Sequence, residues 1–339
     1  MTNRDLASAI NSCARRIDQF LKTFIEDDET IPNLQEGMIY ALGLDVEDSS
    51  VRGKRIRPAL GMMVCESLGG DPEQIIPFAA AIELFHNFTL VHDDIEDGDT
   101  FRRNRPCVYM KYGMAHGINI GDYMLVRVFR ALQDYSETIP ENSLLKLMEL
   151  MIDTLEHTHI GQALDINARS SNEFSIEDYF RLVREKTGYC LSASMSAAAI
   201  LTGSSSVVRE ALHEYALNIG PLFQIRDDVI DLTEGKGREK TGSDIREGKR
   251  SYMVAHVLSS CSREEKIQLY EILDKPRDET EKDEISWVKQ LFEKHGSFEA
   301  AKYENERLRK IADKALGNLP DKTSELLHSF TGYLVSRKK

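Results

Sequence analysis

The chain has 339 residues, 41% of them hydrophobic and 29% charged, and its formal net charge at pH 7 is −13. That composition fits a globular protein with ample material for a large core, and the acidic balance argues against a general nucleic-acid binder. The five cysteines, Cys13, Cys65, Cys107, Cys190 and Cys261, lie far apart and form no C-x-x-C pair, so neither a zinc site nor a disulfide framework is expected.

Met1–Phe20 carries Arg4, Asp5, Arg15, Arg16 and Asp18 and lacks the apolar core of a signal sequence. No run of about 18 apolar residues follows, so no membrane span is expected. Unpaired cysteines suit a reducing compartment, and the expected location is the cytoplasm. Within Asp5–Phe24, Leu6, Ile10, Ile17, Phe20, Leu21 and Phe24 recur close to every 3.6 residues, the mark of an amphipathic helix. Arg57–Leu68, Ile75–Val91, Gly121–Gln133, Ser143–Ala168, Ile176–Lys186, Cys190–Leu201 and Val207–Leu232 read as helices too. Breaks are expected at Gly69-Gly70-Asp71-Pro72, Thr138-Ile139-Pro140 and Gly203-Ser204-Ser205-Ser206. Ser175, with Asp178 three residues on, can open a helix as a capping box. Phe78–Val91, Tyr189–Leu201 and Ala216–Ile225 are apolar on most faces and belong in the middle of a bundle. Tight hairpin signals are scarce, and from Ser262 onward the chain reads as more polar surface helices. With no linker or repeat, residues 1–339 are expected to form one all-α domain of ten or more helices.

Two acidic pentads stand out against this pattern. Asp93-Asp94-Ile95-Glu96-Asp97 follows the apolar run Phe85–Val91, and Asp227-Asp228-Val229-Ile230-Asp231 follows Ile219–Ile225. On a helix, Asp93 shares a face with Asp97, and Asp227 with Asp231, and like charges so placed repel. A chain that does this twice is expected to hold cations between the clusters. All-oxygen ligands suit Mg²⁺ when phosphate completes the shell. A calcium loop starting at Asp93 fails, because Ile95 and Asn104 occupy ligand positions. Basic residues supply the complement: Lys54, Arg55 and Arg57 before a helix, Arg102-Arg103 after the first pentad, and Lys186 at an expected helix break. Thr233–Arg250, rich in glycine and containing Lys240 and Lys249, reads as a lid over phosphates. It is no P-loop, since Ser243 stands where lysine is required. Alone, each pentad is a solvated helix end and each cation a surface charge; together they point to a diphosphate site in which bound Mg²⁺ and local cations outweigh the net negative charge.

The motifs G-K-R-I-R-P at 53–58, L-V-H-D-D-I-E-D at 90–97 with Arg102-Arg103 following, G-D-Y at 121–123, G-Q-x-x-D at 161–165, K-T-G at 186–188, F-Q-I-R-D-D-V-I-D at 223–231 and G-S-D-I-R-E-G-K at 242–249 resemble those of the trans-isoprenyl diphosphate synthases of the short-chain geranylgeranyl and farnesyl type. The resemblance implies a homodimer of all-α isoprenoid-synthase bundles, each around a deep central cavity. It implies condensation of isopentenyl diphosphate with dimethylallyl, geranyl or farnesyl diphosphate. Carried over by motif, Asp93, Asp94, Asp97 and Asp227 hold about three Mg²⁺ against the allylic diphosphate, with Asp228 and Asp231 as further candidates. Arg102, Lys186 and Lys249 contact that diphosphate, and Lys240 is a less trusted candidate from the loop. Lys54, Arg57, His86 and Arg103 bind isopentenyl diphosphate, while Thr187 and Gln224 border the reacting carbons. Without the resemblance, His86 on its apolar helix reads as a core histidine. The expected chemistry is departure of a charge-neutralised diphosphate, attack of a double bond on the allylic cation and loss of a proton, all shielded from water.

Two positions depart from the family pattern. Asn104 follows Arg103 where glycine is usual, and Glu239 stands where a loop lysine is common, with Lys240 next. Phe85, Phe88 and Thr89, just before the first pentad, correspond to the family's cavity floor. Along a helix, Phe88 lies roughly 7 Å and Phe85 roughly 12 Å from Asp93. Phe88 five residues before the pentad resembles the geranylgeranyl-forming archaeal type, which implies a C20 product, while Phe85 adds a second ring that could shorten it toward C15. A class I terpene cyclase and a silent regulatory subunit are the competing readings. The second pentad and the Lys54–Arg57 cluster oppose the first, and the full set of carboxylates opposes the second.

Overall fold

The computed structural model describes residues 2–26, 31–135, 137–233 and 242–336. The chain is all-α, as its periodicity predicts: the only strands among the described residues are Phe101–Arg102 and Arg105–Pro106, paired antiparallel with Arg102 opposite Arg105. No described helix is long and apolar enough to cross a membrane. The chain divides into two compact units. The first comprises Met1–Asp153, Ser192–His213 and Asn318–Phe330, the second Thr154–Leu191, Glu214–Gly317 and Thr331–Lys339.

In the first unit the helix Ile76–Glu96 is central. Pro77 sits in its first turn, where a missing N–H costs nothing. Phe78, Ala79, Ala80, Ala81, Ile82, Leu84 and Phe85 are all buried, as expected of a helix apolar on most faces. It packs against Asn3–Glu26, Ile56–Ser67 and, most extensively, Met114–Gln133. That last helix starts at Met114 rather than at Gly121. Gly117 and Gly121 both serve close packing inside the helix. A Cβ on Gly117 would lie 2.7 Å from Tyr109 Cβ, and one on Gly121 would lie 2.3 Å from His92 Nε2.

In the second unit, Ser175 and Asp178 form the expected capping box at the start of Ile176–Val183. The helix break expected at Lys186-Thr187-Gly188 is absent. The chain instead widens into one π turn, Arg184–Gly188, and continues as Tyr189–Leu201. Gly188 is a contact rather than a stop: a Cβ on Gly220, in the helix Ser206–Thr233, would lie 2.8 Å from Gly188 Cα. That long helix also accommodates Pro221 in its interior.

Candidate functional site

The first pentad occupies the C-terminal end of Ile76–Glu96, and its three aspartates are not equivalent. Asp94 is buried and accepts a hydrogen bond from Arg102 Nε at 2.6 Å. Burial pushes its carboxyl above the usual range, against the pull of Arg102 and of a hydrogen bond to Cys107. Asp93 and Asp97 are only partly buried. The second pentad, in the other unit, repeats this division. Asp228 is buried, with Oδ1 accepting from Gln224 Nε2 at 2.9 Å and Oδ2 from Tyr179 Oη at 3.0 Å and Tyr252 N at 3.2 Å. Asp231 is fully buried and accepts from Ser243 Oγ at 2.6 Å and Asp244 N at 3.2 Å, pinning the start of Ser243–Arg246. Asp227 is partly exposed.

Cations gather in the first unit. Arg57 Nη1 lies 3.4 Å from His86 Nε2. Arginine can only donate, so Nε2 accepts and Nδ1 carries the ring proton. Burial, then the neighbouring Arg57, Arg103, Arg102 and Arg55, hold His86 well below its ordinary value of 6.5. Arg103 is itself pushed down to about 10, chiefly by burial. Its Nη1 donates to Arg52 O at 2.9 Å, and its guanidinium lies against Gly53, whose Cβ would come 2.7 Å from Arg103 Cζ. Lys54 is exposed. Arg55, in contrast, turns inward with left-handed φ 49° and is buried, donating to Asp18 Oδ1 at 2.9 Å, Glu83 Oε1 at 2.7 Å and Leu42 O at 2.6 Å. The G-K-R-I-R-P motif thus mixes a structural arginine with candidate ligands.

The neutral His86 ring has a consequence for stability. An unfolded chain takes up this proton near pH 6.5 while the folded chain resists it. Below that pH the unfolded state binds more protons, so stability present at pH 7 is lost on acidification, by up to roughly 1.4 kcal/mol per pH unit from this group. His86→Gln is expected to flatten the fall of the urea midpoint between about pH 6.5 and 5. An unchanged slope would remove His86 from the account.

Arg103 and Asn104 form the two-residue turn of the small hairpin, at φ 52° and 60°. Both positions are left-handed, where asparagine is the best substitute for glycine. Asn104 therefore meets the same backbone requirement as the family's usual glycine. The sequence sets Arg102-Arg103 one short loop after the first pentad; the hairpin is not legible there because its strands are two residues each.

In the second unit, Lys186 Nζ donates to Asp165 Oδ2 at 2.8 Å. Despite a burial cost, Lys186, Arg169 and Lys249 hold the Asp165 carboxyl below its usual range. Lys249 Nζ lies 2.5 Å from Glu247 Oε2, a fully buried carboxylate. Thr187 is buried within the π turn. Lys240 lies outside the described residues. Asp165 is the residue that motif reading undervalued; its signal was the four-residue spacing from Gly161, which puts both on one helix face.

Phe85 is fully buried and stacks on Phe88, with centroids 6.0 Å apart; Phe88 meets His92 edge-on at 4.8 Å. At 100° per residue, Thr89 lies about 40° from Asp93 around the helix, Phe85 about 80° and Phe88 about 140°. Thr89 is thus nearest the pentad's face, and it is only partly buried.

The donor chemistry suits Mg²⁺. Asp93 and Asp97 in the first unit and Asp227 in the second are partly exposed carboxylates with hard oxygens, while Asp94, Asp228 and Asp231 are buried. Among the described residues no three His, Cys, Asp or Glu side chains form a ready metal cage. Mg²⁺ ordinarily binds through one or two carboxylates plus waters and substrate phosphates rather than an all-protein cage.

Comparisons with known proteins agree with this chemistry. A family model described as polyprenyl synthetase matches residues 46–292. The chain is 36% identical over 284 residues to a short chain isoprenyl diphosphate synthase of Methanocaldococcus jannaschii, covering 82% of each. It is 30% identical to a geranylgeranyl diphosphate synthase of Saccharolobus solfataricus across the full length of both. Among solved structures, a geranylgeranyl pyrophosphate synthetase from Pyrococcus horikoshii superposes with a TM-score of 0.87 at 30% identity, covering 98% of this chain and 99% of that one.

Proposed function

The chain belongs to the polyprenyl synthetase family, and from that premise we propose that it is a short-chain trans-prenyltransferase making C20 geranylgeranyl diphosphate, with C15 farnesyl diphosphate as the shorter alternative. It joins isopentenyl diphosphate to dimethylallyl, geranyl or farnesyl diphosphate. Residues 1–339 act as one catalytic domain. The observation that carries the reading is the gathering of arginines around a neutral His86: Arg57 Nη1 lies 3.4 Å from its Nε2, Arg103 bears on it as well, and Arg102 stands near with Asp94 as its partner. Such a cluster gains most from an anion that accepts several hydrogen bonds at once.

Family members depend on Mg²⁺ in general. In this reading about three ions bind with the allylic diphosphate, and they supply the charge neutralisation that lets it depart. Asp93, Asp97 and Asp227, partly exposed, are the carboxylates that reach them, with the buried Asp94, Asp228 and Asp231 as further candidates. Arg102, Lys186 and Lys249 bind the allylic diphosphate, and Lys54, Arg57, His86 and Arg103 bind isopentenyl diphosphate. Thr187 and Gln224 border the reacting carbons, and Phe85, Phe88 and Thr89 set the chain length. Homodimerisation is supported by an apolar face on Met114–Gln133, where Met114, Ile118, Val126 and Phe129 are exposed, with Leu145 and Ile152 exposed on Glu141–Arg169. Cytoplasmic location is supported by five free thiols.

The test is incubation with Mg²⁺, isopentenyl diphosphate and each allylic diphosphate in turn, with products identified by mass. Chains lengthened by C5 units and stopping at C20 are the expected result, and Phe88→Ala or Phe85→Ala should carry the product beyond it. Turnover of an allylic diphosphate alone would make the protein a cyclase instead. Unchanged product length in both variants would remove the two rings from the length ruler.

A further inference from the structure

The π turn Arg184–Gly188 carries Lys186 and Thr187, and one face of the helix Glu141–Arg169 holds it at three places. His157, Gly161 and Asp165 stand four residues apart, hence on one face at intervals of about 6 Å. Asp165 takes the Lys186 ammonium at 2.8 Å. Gly161 lets the two backbones meet, since a Cβ there would lie 2.3 Å from Lys186 N. His157 Nδ1 lies 2.5 Å from Glu185 Oε2, and its ring stacks on Tyr189 with centroids 3.6 Å apart and planes 11° from parallel. An ionised carboxylate only accepts, so Nδ1 carries the proton in this pair.

A π turn is rarer than an α turn and persists where its surroundings over-determine it. Relaxing it to α geometry removes one residue's rotation, about 100°, and re-aims whatever lies beyond. Asp165 and Gly161 both act on Lys186 itself. Among the described residues, His157 is the side chain that holds Glu185, the residue before Lys186. Asp165 alone leaves a long lysine side chain free to follow a shifted backbone.

We propose that His157, through Glu185, is a positioning residue that locks this π turn so that Lys186 meets the allylic diphosphate. The inference rests on the role assigned to Lys186 above. Two variants separate the two contacts of the ring. His157→Phe keeps the stack on Tyr189 and loses the hydrogen bond; His157→Asn keeps a donor near Nδ1 and loses the ring. Expected is a rise of roughly tenfold in KM for geranyl diphosphate in His157→Phe, equivalent to one lost charge-assisted hydrogen bond. KM for isopentenyl diphosphate should stay within about twofold, and His157→Asn should recover most of the loss. Glu185→Gln, which keeps an acceptor but no charge, should fall between. Calorimetric binding of an unreactive allylic diphosphate analogue should show the same order without turnover. The proposal is overturned if His157→Phe leaves KM and analogue affinity unchanged while Lys186→Ala weakens both. It is also overturned if both His157 variants lose affinity for the two substrates equally, because loss of packing alone would do that. If Lys186→Ala has no effect on the analogue, the role of Lys186 itself fails, and the positioning role with it.

Discussion

Asp93→Ala and Asp227→Ala are each expected to lower turnover by about a thousandfold, the scale of removing a group that stabilises charge in the transition state, with the melting temperature nearly unchanged. Both carboxylates are only partly buried and sit at the ends of apolar helices whose packing lies elsewhere. Asp231→Ala should behave differently. That side chain is fully buried and holds Ser243 Oγ and Asp244 N. Its loss leaves two buried donors without an acceptor, a cost of about 1–3 kcal/mol each. Lower thermal stability should therefore accompany its loss of activity. The pair of readouts, turnover under saturating Mg²⁺ and thermal unfolding, decides the matter. A thousandfold loss in Asp231→Ala with unchanged melting would move Asp231 to the metal. A large melting shift in Asp93→Ala would move Asp93 away from it.

Arg55→Ala should destabilise the first unit by about 3–5 kcal/mol, the usual result of removing one partner from a buried charge network. Asp18 and Glu83 are both buried around the guanidinium. Their charges raise the Arg55 pKa despite the burial that opposes it. Without Arg55, Asp18 keeps Arg52 at 3.2 Å, while Glu83 keeps the neutral Asn87 amide at 2.6 Å as its hydrogen-bond donor among the described residues. The urea midpoint reads this directly. Double replacement of Arg55 and Glu83 by leucine and methionine should recover much of the loss, because an apolar substitute leaves no orphaned charge. A midpoint shift below about 1 kcal/mol equivalent in Arg55→Ala would mean that water reaches the site.

How far the residues alone carried the reading can be judged position by position. The two aspartate motifs and the order of the basic motifs were legible, since short helical spacings and charged residue types are visible in one dimension. The capping box at Ser175 was legible for the same reason. The break expected at Lys186-Thr187-Gly188 was wrong, because Gly188 looks like a helix stop whether or not another glycine, Gly220, is packed on it. Arg55 looked like a third surface cation beside Lys54 and Arg57; its inward turn depends on Asp18 and Glu83, which lie 37 and 28 residues away.

The sequence by itself determined an all-α chain, the positions of its long helices and the presence of two carboxylate clusters with matching cations. Those follow from local periodicity and residue chemistry, which act over a few residues. Tertiary structure alone decided which carboxylates in the pentads are buried and what meets them there: Asp94 meets Arg102, Asp228 meets Tyr179 and Tyr252, and Asp231 meets Ser243. It also decided that His86 stays neutral among arginines and that the lysine of K-T-G rides on a π turn. The reason is that burial, field and hydrogen-bond partner are set by segments remote in the chain, and no spacing rule records which of them will meet.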